Sequence, residues 1–150
     1  MTNKPNIRKA EKIDLDAIVA IENESFPEDN FSRRELRYLI EKSIIGCYVV
    51  EQNHEILAYT SLLSRRNATS LRLYSIAVAP KARGQHLAQM LMTFMEEKAK
   101  QLGLQCLTLE VKPSNSSAIA LYKKNGFEAC GQKENYYHDG SFAICMKKDL

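Results

Sequence analysis

Residues 73–88 read Leu73-Tyr74-Ser75-Ile76-Ala77-Val78-Ala79-Pro80-Lys81-Ala82-Arg83-Gly84-Gln85-His86-Leu87-Ala88. Residues 71–79 have the apolar, β-favouring character of a strand, and Pro80, which cannot donate to a sheet ladder, stops it. From about Gln85 the apolar residues Leu87, Met90, Leu91, Phe94 and Met95 recur at helical spacing, and the pattern runs to Leu102 before Gly103 ends it. A strand thus enters a helix through a compact basic loop. That arrangement leaves several backbone N–H groups unpaired at the positive end of a helix dipole, a ready site for a pyrophosphate. Arg83 would add a charge-assisted contact. On these residues alone, an ordinary turn with one solvated arginine is the competing reading.

Working outward, residues 6–10 suit a first strand, and Asp14 has the chemistry of an N-cap for a helix with Leu15, Ile18 and Ile21 on one side, ended by Phe26-Pro27. Ser32-Arg33-Arg34-Glu35 carries the spacing of a capping box and starts a second helix to about Lys42. Residues 45–51 and 55–63 read as strands around a tight turn at 52–54. After the long helix, residues 104–111 form a strand with Leu107, Leu109 and Val111 on one face and Cys106, Thr108 and Glu110 on the other. Asn115 then caps a short helix with Ala118, Leu121 and Tyr122 on a common side, closed by Asn125-Gly126. Residues 127–137 and 141–147 read as two final strands around His138-Asp139-Gly140. This order predicts one mixed-sheet α+β domain over residues 1–150.

Composition narrows the classes. A chain of 150 residues, 45% hydrophobic, buries one core but not two. Its 21 basic and 18 acidic side chains give +3, short of the excess a dedicated nucleic-acid binder carries, so no nucleic acid is expected. No apolar run has membrane-spanning length and the start Met-Thr-Asn-Lys-Pro-Asn is polar, which predicts a soluble, cytoplasmic protein with no membrane partner. Cys47, Cys106, Cys130 and Cys145 are scattered, read as buried free thiols and suggest no metal site. His54 and His138 read as surface residues near turns, and Arg33, Arg34, Arg65 and Arg66 as solvated charges.

The second informative stretch is Asn115-Ser116-Ser117-Ala118-Ile119-Ala120-Leu121-Tyr122-Lys123-Lys124-Asn125-Gly126-Phe127. Alone it is compatible with an amphipathic helix whose Tyr122 is a core residue. Together the two stretches resemble the GCN5-related N-acetyltransferase (GNAT) family. Its CoA-binding signature, Q/R-x-x-G-x-G/A, is matched at Arg83 and Ala88, with His86 standing in the glycine position. Its second signature, N-x-x-A-x-x-L-Y-x-x-x-G-F, is matched at every specified position from Asn115 to Phe127. The resemblance implies a mostly antiparallel mixed sheet of about seven strands, flanked by about four helices and splayed between the fourth and fifth strands. It further implies acetyl-CoA as cosubstrate, with no metal. The contacts would come from Ile76, Ala77 and Val78, from Arg83, Gly84, Gln85, His86, Leu87 and Ala88, and from Asn115, Ala118 and Tyr122. Because glycine at position 86 lets backbone approach phosphate, the His86 imidazole must point away, add a donor, or weaken CoA binding.

Within the family the chain looks most like the RimI-like group, which acetylates protein N-terminal α-amines. The carrying residues are Ile21-Glu22, Ser25-Phe26-Pro27, Ile76-Ala77-Val78, Leu109-Glu110-Val111-Lys112, Ser114-Asn115 and Asn135-Tyr136-Tyr137, whereas the group's Trp after Phe-Pro is missing and Phe142 replaces an acidic residue. By this resemblance Glu110 is the general base and Tyr122 the general acid. Otherwise Glu110 pairs with a nearby lysine and Tyr122 only positions the sulfur. Glu22, Phe26, Pro27 and Glu28 would form one wall of an acceptor groove, with Tyr136 and Tyr137 opposite, or these two tyrosines pack across strands. Open alternatives are a small-molecule amine or lysine side chain as acceptor, and an acyl-CoA-binding regulatory module. A monomer or weak homodimer is expected.

Overall fold

The computed structural model describes residues 4–42 and 45–150, so the first three residues of the polar start lie outside it. Strand β1 (Asn6–Lys9) leads through a 3-10 turn (Lys12–Asp14) to helices α1 (Leu15–Ser25) and α2 (Arg33–Lys42). Strands β2 (Gly46–Gln52), β3 (Glu55–Leu63) and β4 (Ser70–Val78) follow, then α3 (Leu87–Gln101), β5 (Cys106–Val111), α4 (Ser116–Lys124), β6 (Glu128–Lys133) and β7 (Ala143–Asp149). One seven-stranded sheet has the order β1-β2-β3-β4-β5-β7-β6. Every neighbouring pair is antiparallel except β4 and β5. This is the splayed α+β sheet with four helices that the two signatures imply.

The splay has a local cause. Against β3, Leu73 pairs with Leu62 and Ser75 with Ser61, which leaves Tyr74 as an extra residue on β4. Such a bulge shifts the alternation of side chains by one position and increases twist. Leu71 and Leu73 accordingly pack beneath α3, whereas past the bulge Ala77 joins the cluster beneath α1 and α2. Pairing of β4 with β5 runs from Ser70 opposite Cys106 to Leu73 opposite Leu109 and stops there. Residues 74–78 and 110–111 then diverge as the two limbs of a V.

Helices hold both limbs. Met92, Met95 and Ala99 of α3 and Tyr122 of α4 pack with Leu71, Leu73, Leu107 and Leu109 on one face. On the other, Ile18 and Ile21 of α1 and Leu36 and Leu39 of α2 cover Val49, Tyr59 and Ala77. Ile18 and Leu36 are fully buried, each contributing about 2 kcal/mol by removal from water. Helix starts follow their caps. Glu35 N–H donates to Ser32 Oγ at 3.1 Å and Ser32 N–H returns to Glu35 Oε1 at 3.3 Å, the expected capping box. Ala118 N–H donates to Asn115 Oδ1 at 3.2 Å.

Four readings need correction. Asp14 does not cap α1 through its side chain, because the preceding 3-10 turn already makes it helical (φ −82°, ψ −8°). Its carboxylate instead accepts from Arg8 at 2.8 and 2.9 Å and from the Glu11 N–H at 2.8 Å. Helix α3 begins at Leu87 rather than Gln85, since His86 is left-handed at φ 61°. Strand β6 stops at Lys133: Asn135 takes φ 50° and Gly140 N–H closes a turn onto Tyr137 C=O at 2.9 Å. Tyr136 and Tyr137 thus sit on a loop and are not cross-strand packing residues. Cys47 and Cys106 are buried, but Cys145 is only half-buried and Cys130, at a bulge in β6, is exposed.

Candidate active site

The V opens into a cavity of about 930 Å³ that passes from the turn before α3 to the loop between α1 and α2. Ile76, Ala77 and Val78 line one limb, and Asn115, Ala118 and Tyr122 of α4 face them from the other side, with Arg83 and Ala88 at one end. Ala79 N–H donates to Leu57 C=O of β3 at 2.8 Å. Strand alternation therefore turns the main-chain groups of Ala77 towards β3 and those of Ile76 and Val78 into the V, where β5 no longer pairs with them.

The turn before α3 has the donors the signature implies. Its first helical bond is Met90 N–H to His86 C=O at 3.0 Å, so Leu87, Ala88 and Gln89 have no helical acceptor. The N–H groups of Gly84, Gln85 and His86 also lack a hydrogen-bond acceptor among the described residues. Six consecutive donors at a helix N-terminus, beside Arg83, suit a diphosphate. Gly84 and His86 bend the backbone this way with φ of 84° and 61°. The His86 side chain is exposed and makes no cap bond, while the Leu87 side chain is buried in the core and leaves only its main chain for a ligand. Gly84, Gln85, His86 and Leu87 do not line the cavity itself.

Tyr122 is buried, its ring 6.0 Å from that of Phe127, and its hydroxyl has no hydrogen-bond partner among the described residues. Burial pushes its phenol up to about 12. Glu110 also lines the cavity, on the face of β5 opposite Leu109 and Val111. Its closest partner is Arg72, whose Nε donates to Oε1 at 2.8 Å, while Lys133 Nζ lies 3.5 Å from Oε2. The lysine partner considered from the sequence is present, but an arginine holds the carboxylate more closely.

Of the residues expected from the sequence to wall an acceptor groove, Glu22 and Phe26 line the cavity, whereas Pro27 and Glu28 are exposed and do not. Glu22 is buried, accepting from the Tyr59 hydroxyl and from the Phe31 N–H at 2.8 Å, and its burial raises the carboxyl above its ordinary range. Asp29, one residue past Glu28, reaches inward in its place: Asp29 Oδ2 takes Lys112 Nζ at 2.9 Å and Oδ1 takes the His138 N–H at 3.0 Å. Lys112 also meets Asp139 at 3.1 Å and lies over the Tyr137 ring. Tyr136, Tyr137 and His138 complete the lining. The loops on either side of the groove are therefore tied together. Arg72, Asp29 and the contact of Phe31 stacked on Tyr74 at 4.9 Å were not singled out from sequence. No group of His, Cys, Asp or Glu able to hold a metal occurs among the described residues, and no described helix is long and apolar enough to cross a membrane.

A sheet split between two parallel strands, a donor-rich turn at one end of the split and a buried tyrosine beside it define an acyl-CoA-dependent transferase. The model of the acetyltransferase (GNAT) family matches residues 15–127, and the chain belongs to that family: it is an acetyl-CoA-dependent N-acetyltransferase. It is 30% identical, over 97% of its length and 96% of the relative's, to a protein of Bacillus subtilis (strain 168) provisionally named as a ribosomal protein bS18-alanine N-acetyltransferase. The crystal structure of the ribosomal-protein-S18-alanine N-acetyltransferase from Escherichia coli superposes with a TM-score of 0.82 at 27% identity, covering 98% of this chain and 94% of that one. Ard1 from Thermoplasma volcanium shares the fold, with a TM-score of 0.86 at 22% identity and 97% of both chains covered.

Proposed function

We propose that the chain transfers acetyl from acetyl-CoA directly to the N-terminal α-amine of a protein or peptide. The observation that carries this reading is the bridge from Asp29 through Lys112 to Asp139, which joins the two loops flanking the groove. A groove bounded in this way suits the end of an extended chain. Acetyl-CoA supplies an activated acyl carbon. The N–H groups of residues 84–89 and Arg83 hold its diphosphate, Asn115 and Ala118 flank it, and the main-chain groups of Ile76 and Val78 take the pantetheine amides. Ala77 lines the same limb.

The chemistry then needs a neutral amine. An α-amine is roughly a tenth neutral at pH 7, against about one lysine side chain in 2,000, so modest help suffices. Glu110 takes the ammonium proton, directly or through water. As the C–N bond forms and the C–S bond breaks, the Tyr122 hydroxyl gives its proton to the departing sulfur and is restored by the second proton that the acylated nitrogen sheds, passed on through water. With its phenol at about 12, Tyr122 stays protonated across the working range. Glu22, Phe26, Tyr136 and Tyr137 form the walls that receive the first residues of the acceptor, and Pro27 and Glu28 lie at the outer rim.

The relatives named above carry the alanine of ribosomal protein bS18 in their names, so that N-terminal sequence is the first acceptor to try. Product mass would be followed with acetyl-CoA and two panels, peptides with free N-termini and small primary amines including lysine derivatives. Peptide α-acetylation is the expected result. Turnover confined to the small amines, or tight CoA binding with turnover on neither panel, would overturn the reading.

A further inference from the structure

We propose that Arg72 is a positioning residue for acetyl transfer, locking the Glu110 carboxylate and the Tyr136 hydroxyl into one unit that leaves Glu110 Oε2 directed at the acceptor. The inference rests on Glu110 being the proton acceptor.

Arg72 occupies the third of the four paired rungs of β4 and β5, opposite Thr108. Two residues further along β5, and so on the same face, stands Glu110, already on the diverging limb. Arg72 spans that step. Its Nε donates to Glu110 Oε1 at 2.8 Å, its Nη2 contacts the same oxygen, and Nη2 also donates to Tyr136 Oη at 2.9 Å. The Arg72 Cζ stands 5.1 Å from the centroid of the Tyr74 ring, the bulge residue, which fixes the guanidinium plane from the other side. One side chain therefore joins both limbs of the V and the loop after β6.

The two oxygens of Glu110 are not equivalent. Oε1 receives the Arg72 donors and has the Tyr136 hydroxyl at 3.4 Å, whereas among the described residues Oε2 has only Lys133 Nζ at 3.5 Å. Glu110 is 9% exposed and Arg72 is 32% exposed, so water competes weakly for the carboxylate end of this pair. Two donors of a planar guanidinium converging on one oxygen fix the position of Oε1 more narrowly than a mobile ammonium does, and so limit where Oε2 can lie. Without it, the carboxylate has rotational freedom and Tyr136 loses its anchor, while the donor-rich turn before α3 is untouched.

A double-mutant cycle on kcat tests this, with Arg72→Ala, Glu110→Gln and the double variant measured beside the wild type. Arg72→Ala is expected to lower kcat by about 10- to 100-fold and leave the KM for acetyl-CoA within about twofold. In the Glu110→Gln background the same change should cost almost nothing. Adding low-millimolar guanidinium to Arg72→Ala should restore part of kcat, and Arg72→Lys should fall between wild type and Arg72→Ala. Additive losses, or an equal loss in acetyl-CoA binding, would overturn the positioning role. Should Arg72→Ala fail to fold, Arg72→Lys carries the cycle, and wild-type kcat in that variant counts against the proposal. A Glu110→Gln enzyme as fast as wild type would instead sink the base assignment on which the proposal stands.

Discussion

Lys112 Nζ lies 2.9 Å from Asp29 Oδ2, joining the end of β5 to the loop between α1 and α2 across 83 residues of sequence. The same ammonium reaches Asp139 at 3.1 Å, so one cation holds both loops that border the proposed acceptor groove. Hydrogen bonding to Lys112 and to the His138 N–H holds Asp29 below the usual carboxylate range, and hydrogen bonds from the Ser141 hydroxyl and N–H, then from Lys112, hold Asp139 at about 2. Both acids therefore stay ionised down to well below neutral pH.

Asp29→Asn should loosen the groove without touching the CoA turn. We expect the KM for a peptide acceptor to rise by about threefold, as fits a partly exposed ion pair, with the KM for acetyl-CoA unchanged. The effect should shrink as salt is raised. Initial rates at two ionic strengths check this, and an equal rise in both KM values would show that Asp29 serves the fold rather than the groove.

Asp14 supplies a stability prediction. Its carboxyl is held below 3.8 chiefly by the Arg8 hydrogen bonds, with desolvation opposing. A depressed folded-state value means stabilisation that is present above the ordinary value and is lost as pH falls through the folded one. Asp14→Ala removes two bonds from Arg8 and the cap on Glu11, and should cost about 2 kcal/mol near neutral pH. As pH falls below the ordinary aspartate value of 3.8 the difference should narrow. Denaturant midpoints at pH 7 and pH 3 decide it: a gap that is constant between them rules out the ion pair as the cause.

What was legible and what was not follows from range in sequence. Helix α3, the Ser32–Glu35 box and the Asn115 cap depend on neighbours three or four residues apart, and periodicity reports those directly. The donor-rich turn could be read because a strand, a basic loop and a helix start are contiguous. The bulge at Tyr74 left no compositional mark, since an inserted residue is visible only against the register of β3. Arg72 escaped notice for the same reason: its partners Glu110 and Tyr136 stand 38 and 64 residues away, brought together by β5 and by a loop. Asp29 rather than Glu28 faces the groove, a one-residue difference that α1 fixes only once its C-terminus is known. Tyr136 and Tyr137 read as strand by composition, but positive φ at Asn135 ends the ladder before them.

Tyr122→Phe separates the two roles of a buried tyrosine. Because the hydroxyl has no partner among the described residues, its removal should leave the melting temperature within a degree or two, in contrast to a structural hydroxyl that would cost about 1 kcal/mol. Turnover should fall by about 100-fold with little change in CoA affinity. Since the phenol lies at about 12, the wild-type pH–rate profile should show no alkaline limb from this group below about pH 11. Loss of stability with kcat intact would return Tyr122 to a packing role.

His86 tests how the donor turn is held. It adopts φ 61° and ψ 25°, a backbone that costs a residue with a Cβ about 1 kcal/mol and glycine almost nothing. His86→Gly relieves that strain but frees the unfolded chain by about 0.4–1 kcal/mol, so the two terms should nearly cancel in stability. Affinity has no such offset, because removing the Cβ and imidazole opens the N–H groups of residues 84–89 to a phosphate. The dissociation constant for CoA should fall severalfold in His86→Gly, whereas His86→Ala, which keeps the Cβ and the strain, should improve it less. Calorimetric titration of the three proteins with CoA reads this directly. Weaker binding in both variants would mean that the imidazole itself donates to the diphosphate.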